Sequence, residues 1–157
     1  MANLSQLRSS SPIVTKEIAR LLAEEIAHRG PRLTHALIVG LVGNLGTGKT
    51  TFTQGFSRGL GLERHLTSPT FLIIKSYKLK HKKYTALYHI DAYRIKKQKE
   101  FVALHFKEIF SDPSNLVLIE WADKLRRALP QKRFSVKFTH GKKEQERFLV
   151  FSSLSKT

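Results

Sequence analysis

Lys49 and Thr50 close a glycine-rich string, Gly43 to Thr50, that reads GNLGTGKT and directly follows the apolar run ALIVGLV. The spacing is that of a phosphate-binding loop. Gly43, Gly46 and Gly48 let the backbone turn tightly and bring its N–H groups against phosphate oxygens. A helix after the loop would point its positive end at the same place. Lys49 is expected to reach the β- and γ-phosphates, and the Thr50 hydroxyl to ligate Mg²⁺. Alone, the string serves a kinase, a switch or an ATPase equally well.

A phosphate loop needs a second acid for its metal. Leu116-Val117-Leu118-Ile119-Glu120 supplies one, a carboxylate at the tip of an apolar strand. In open α/β sheets ligands bind beyond the carboxyl ends of the strands, which puts Glu120 near the Thr50 metal. Two more stretches carry polar groups. Thr67-Ser68-Pro69-Thr70-Phe71 is a loop whose hydroxyls could meet a γ-phosphate. His89-Ile90-Asp91-Ala92-Tyr93-Arg94 alternates as a strand does, with His89, Asp91 and Tyr93 on one face. Such a face could hold a water or a metal; equally, Asp91 could pair with a basic side chain.

The elements that must position these groups follow from patterning. Thr15 reads as a helix N-cap with Gly30 past the end, and Ile18, Leu21, Leu22, Glu25 and Ile26 line one side at helical spacing. Ala36 to Val42 has no polar alternation, as in a parallel strand buried on both faces. Lys49 to about Arg58 should be a helix, with Gly59 and Gly61 available to end it. Phe71 to Leu79 and Tyr84 to Ile90 read as a hairpin with a charged tip in solvent. Gln98 to Phe110 looks helical, with Phe101, Leu104 and Ile109 inward, and Ala122 to Leu129 a short helix stopped near Pro130. Phe134 to Thr139 and Arg147 to Ser152 form a second hairpin. This pattern predicts one α/β domain of the P-loop NTPase type over 1–157, a mixed β-sheet with antiparallel hairpins and helices on both faces. Residues 1–12 and 153–157 are expected to be loose.

Composition narrows the classes. The chain has 157 residues and no cysteine, which excludes disulfides, thiolate metal sites and a cysteine nucleophile. The opening MANLSQLRSS lacks the apolar core of a secretory signal, and no run approaches the roughly 20 residues of a membrane span, so a cytoplasmic protein is expected. The formal charge is +16, and residues 72–107 hold ten basic side chains against two acidic ones. Such a field attracts a polyanion or an acidic protein face, or is only a solvated surface.

Taken in order, GNLGTGKTTF, TSPTF, HIDAYR and IEW resemble the TsaE (YjeE) family, small bacterial ATPases of tRNA threonylcarbamoyladenosine synthesis. The resemblance runs from the first helix to about Lys124. It implies ATP and Mg²⁺ as cofactors and weak intrinsic ATPase activity. It also implies docking on a complex of TsaB and TsaD, through which any contact with tRNA would be indirect, and no membrane. It places a switch-like segment on Thr67 to Thr70, a functional aspartate on Asp91, and a metal-associated glutamate with its tryptophan on Glu120 and Trp121. The nucleotide site is then expected at Gly43, Asn44, Leu45, Gly46, Thr47, Gly48, Lys49, Thr50, Thr51, Thr70 and Trp121. Lys49, Asp91 and Glu120 are the candidate catalytic residues, and Thr50 and Glu120 the metal ligands; whether Asp91 or Glu120 orients the attacking water stays open. Asn44 stands where the family usually has Asp, and Ala122 where it commonly has Pro. A small-molecule kinase would need an arginine-bearing lid, and a regulatory GTPase an N-K-x-D string; neither is visible. An RNA-binding module with a non-catalytic loop remains the reading from another class.

Overall fold

The structure, a computed structural model, describes residues 5–63, 66, 74–102 and 106–153. Its centre is a seven-stranded mixed sheet in the order β1-β7-β6-β2-β5-β4-β3. The strands are β1 (Ser5–Ser9), β2 (Leu37–Val42), β3 (Ile74–Lys78), β4 (Ala86–Asp91), β5 (Asn115–Glu120), β6 (Phe134–His140) and β7 (Arg147–Ser153). β2 pairs in parallel with β5 and β6, and β4 in parallel with β5. The two expected hairpins, β3–β4 and β6–β7, are antiparallel. The apolar β2 and β5, the latter apolar over Leu116 to Ile119, occupy the middle because only there are both faces covered.

Helices cover both faces. On one, α1 (Pro12–Arg29) and α2 (Lys49–Gly59) close a core of Leu37, Val39, Leu41, Leu116 and Leu118 with Phe52 and Phe56. On the other, α3 (Gln98–Val102), α4 (Phe106–Ser111) and a single 3₁₀ turn (Ala122–Leu125) bring Phe101, Phe106, Phe110 and Leu125 against Ile38, Ile90, Val117 and Ile119. Among the described residues no helix is long and apolar enough to cross a membrane.

Several expectations change. α1 starts earlier, capped by Ser11, whose Oγ accepts from the Val14 N–H at 3.3 Å, with Pro12 in its first turn. Thr15 is instead buried and hydrogen-bonds Ser9 at 2.7 Å. The opening residues, expected to be loose, include β1, paired with β7. Of the helix expected over 98–110, Gln98–Val102 and Phe106–Ser111 are helical, and residues 103–105, and so Leu104, lie outside the described ones. The helix expected to Leu129 is one 3₁₀ turn ending at Leu125.

The expected inward side of α1 holds at Ile26, with Ile18 and Leu22 partly buried against the core, but not at Leu21 and Glu25. Thr15, Ala19, Ala23, Ile26 and Ala27 are covered, whereas Leu21 is 52% exposed. The reason is close helix packing. A Cβ on Gly55 of α2 would lie 2.2 Å from the Lys16 carbonyl oxygen, and one on Gly59 2.4 Å from that of Arg20. Backbones this close leave room only for small side chains between them. Gly55→Ala is therefore expected to destabilise the protein, although alanine favours helix by about 1 kcal/mol. Overpacking against main-chain atoms that cannot give way costs about 1–3 kcal/mol or more. A thermal melt should read a fall of roughly 5 °C, whereas an exposed α1 control, Leu21→Ala, should change little.

Candidate nucleotide site

β2 delivers the chain to the glycine-rich loop, and α2 carries it away with Lys49 as its first residue. Gly48 caps α2 in the left-handed region at φ 96°, and Gly46 has φ 75° with open space where a Cβ would stand. A phosphate approaching the loop tip meets backbone, not side chain. Gly43 is required by proximity: a Cβ there would lie 2.8 Å from the Phe138 carbonyl oxygen and from Thr47 Oγ1. Thr47 Oγ1 donates to the Asn44 carbonyl at 2.7 Å and braces the turn. The main chain of Asn44 does this work, so asparagine in place of aspartate leaves the loop's internal bonds intact.

Lys49 is 4% exposed. Its Nζ donates to the carbonyls of Gly43 at 2.7 Å and Asn44 at 2.9 Å, and lies 4.0 Å from the centre of the Trp121 ring. Burial pushes the ammonium below its ordinary range, while Glu120, Asp123 and Asp91 pull the other way. An anion at the loop would relieve that desolvation, and two carbonyls leave one of the three N–H donors free for it.

Glu120 ends β5 and is 2% exposed. Thr50 Oγ1 donates to its Oε2 at 3.0 Å, Thr53 Oγ1 to its Oε1 at 3.1 Å, and His89 Nε2 to Oε1 at 3.0 Å. Burial alone would push this carboxyl up. The hydrogen bond and proximity of His89, then Thr50 and Thr53, outweigh it and hold the carboxyl below its usual range. Asp91 ends β4 in register with Glu120, half-buried, and its Oδ1 accepts from the Tyr93 N–H at 3.0 Å.

The oxygen donors Thr50 and Glu120 suit a hard divalent cation at the loop mouth. Among the described residues no three His, Cys, Asp or Glu side chains converge, so protein alone offers no cage.

The structure thus brings together Lys49, Thr50, Glu120, Asp91 and Trp121. Thr67 to Thr70 lie outside the described residues. Tyr93 leaves the strand face shared by His89 and Asp91, since β4 ends at Asp91, and its ring packs on Trp121 at 5.1 Å. Trp121 adopts φ 60°, the one non-glycine positive φ among the described residues. This conformation costs of order 1–3 kcal/mol and accompanies the turn that sets the indole beside Lys49. Two contributors escaped the sequence reading. Thr53 sits three residues after Thr50, hence on the same helical face, a spacing that could have flagged it. Arg147 Nη2 donates to the Gly46 carbonyl at 3.1 Å, a tie across 101 positions that no local pattern signals.

A family model described as threonylcarbamoyl adenosine biosynthesis protein TsaE matches residues 10–149. A Bacillus subtilis (strain 168) protein named tRNA threonylcarbamoyladenosine biosynthesis protein TsaE is 37% identical over 147 residues, 94% of this chain and 84% of its own. A Haemophilus influenzae protein of the same name is 35% identical over 96 residues, 61% of this chain and 58% of its own. The crystal structure of Bacillus subtilis YdiB superposes with a TM-score of 0.73 at 32% identity, covering 99% of this chain and 88% of that one.

Proposed function

Because this chain belongs to the TsaE family of threonylcarbamoyl adenosine biosynthesis proteins, we propose that it is a Mg²⁺-dependent ATPase serving that tRNA modification. Its intrinsic turnover is low and is raised by TsaB and TsaD, the partners through which it supports threonylcarbamoyl transfer to adenosine 37, in the cytoplasm. The observation that carries the reading is the meeting of Lys49, Thr50 and Glu120 at the mouth of a glycine loop open to phosphate.

The loop N–H groups and the start of α2 hold the β- and γ-phosphates, and Lys49 places its ammonium against them. Mg²⁺, when bound, neutralises charge on the phosphate oxygens. Thr50 and Glu120 are the residues that would hold it. The two acids divide the work. Glu120 is almost fully covered, with Thr53 and His89 both on Oε1 and only Thr50 on Oε2, so its one available oxygen would go to the cation and not to an attacking water. Asp91, more exposed at the neighbouring strand end, is the residue that orients the water.

Trp121 is the sole tryptophan and touches the Lys49 ammonium, so its fluorescence should report the nucleotide directly. Adding ATP and Mg²⁺ is expected to change that emission saturably, and turnover is expected to rise when a TsaB–TsaD preparation is added. A flat titration, with no nucleotide retained, would sink the reading.

A further inference from the structure

The pole of the molecule opposite the phosphate loop is a basic surface. α1 runs from Pro12, with Thr15 beside Gly48, to Arg29, a span of about 27 Å for its length. The turn joining β3 to β4 lies at the amino end of β4, while the nucleotide residues lie at the carboxyl ends of the parallel strands. Six residues of β4 place the two about 20 Å apart.

At this pole the end of α1 and the β3–β4 turn are fastened together. Lys83 Nζ donates to the Gly30 carbonyl, and the rings of His28 and His81 meet edge-on at 6.3 Å. Burial and then the nearby Arg32 guanidinium lower the Lys83 ammonium below its ordinary range. The turn is itself braced: His81 stacks on the buried Tyr84 at 6.2 Å, accepts from the Lys83 N–H at 3.1 Å, and Leu79 N–H bonds the Thr85 carbonyl at 2.8 Å. The charged tip lies in solvent, with Lys80 and Lys82 exposed, on a backbone that is held in place.

Arg29, Arg32, Lys78, Lys80 and Lys82 are all exposed there, with Lys83 partly so. The carboxylates nearby are Glu25, which pairs with Arg29 at 3.7 Å, and Asp112, held within its own turn by Ser114. Among the described residues Lys78, Lys80 and Lys82 have no carboxylate partner.

We propose that this pole binds the phosphate backbone of a structured RNA, independently of the nucleotide site. Lysine is depleted at protein–protein interfaces, whose energy comes from buried aromatic and apolar anchors. None of the large exposed hydrophobics, Leu7, Ile13, Leu21, Leu45 and Tyr93, belongs to this surface. Nucleic-acid interfaces are instead strongly cationic, and point-charge ammoniums on a braced turn suit phosphates without reading bases. The geometry lets the chain hold ATP at one pole and RNA at the other.

The test uses the full chain and an unmodified tRNA transcript, with affinity measured across a salt series. The wild type should bind with a steep salt slope. Lys78→Ala/Lys80→Ala/Lys82→Ala should lower affinity roughly tenfold or more and flatten the log–log slope by about 3, leaving the melting temperature and the ATP-induced Trp121 signal unchanged. A second triple, Lys96→Ala/Lys97→Ala/Lys99→Ala, removes the same charge elsewhere and should cost much less. Equal losses from both triples would mean only net charge acts, and would overturn the proposal. So would no tRNA binding at all, or polyglutamate binding as tightly as tRNA, the mark of an acidic protein partner.

Discussion

Lys49→Ala is expected to reduce ATP turnover by a factor on the order of 10²–10³, the usual consequence of removing one preorganised group from developing phosphoryl charge. The side chain is almost wholly buried, and its ammonium is pinned between two carbonyls and the Trp121 face. It therefore reaches the phosphates with little freedom left to lose. The truncation has a second signature. Without the ammonium over its ring, Trp121 should emit differently even before nucleotide is added, and the ATP-dependent change should vanish. Lys49→Arg should not rescue turnover, because a planar fork cannot replace a compact ammonium in that gap. Stimulation by TsaB and TsaD that persists in Lys49→Ala would contradict the assignment.

Glu120→Gln and Asp91→Asn should fail in different ways. At position 120 three donors converge on one carboxylate. An amide presents one acceptor oxygen and turns an NH₂ group toward them, leaving buried groups unmatched at a cost of about 1–3 kcal/mol. Glu120→Gln is thus expected to melt earlier and to need more Mg²⁺ for ATP binding. Asp91→Asn should keep fold and nucleotide affinity but lose turnover by a factor on the order of 10²–10⁴. The reverse result, with Asp91→Asn losing affinity and Glu120→Gln losing only turnover, would exchange their roles. The Glu120 carboxyl also sets a pH signature. Its folded value lies below the ordinary 4.5. Its contribution to stability is therefore complete above that pH and is lost as pH falls through the lower folded value. Melting temperatures taken downward from pH 5 should drop more steeply for the wild type than for Glu120→Gln.

The parts of the candidate site whose placement was legible in the sequence were those in which one local segment carries both its polar groups and its own support. GNLGTGKT includes the glycines that shape it, and the run before it announces a buried strand. Glu120 was legible because four apolar residues and a strand-end carboxylate form one local pattern. Errors arose where a partner decides. The inward face of α1 was met at Ile18, Leu22 and Ile26 but missed Ala19 and Ala23, because large apolar residues were favoured where the close approach of α2 leaves room for small ones. Ser11, and not Thr15, caps α1 because Thr15 is drawn into a bond with Ser9 of the edge strand. His89 was placed on one strand face with Asp91, a face that could hold a water or a metal; in the fold it is buried and its Nε2 meets Glu120 on the neighbouring strand.

The sequence by itself determined that a glycine-rich loop of the phosphate-binding type follows a buried strand, which strands would be central, and which family's motifs stand in register. Those features are encoded by spacing along the chain. Only the tertiary structure decided how Glu120 and Asp91 differ, since they lie 29 residues apart in sequence yet side by side in the sheet. Their difference is one of burial and hydrogen-bond saturation, properties that belong to the packed neighbours of a carboxylate and not to the carboxylate. The same holds for the lysines of the β3–β4 turn. Their number was plain from the chain, but their union with the end of α1 into one surface arises from folding alone.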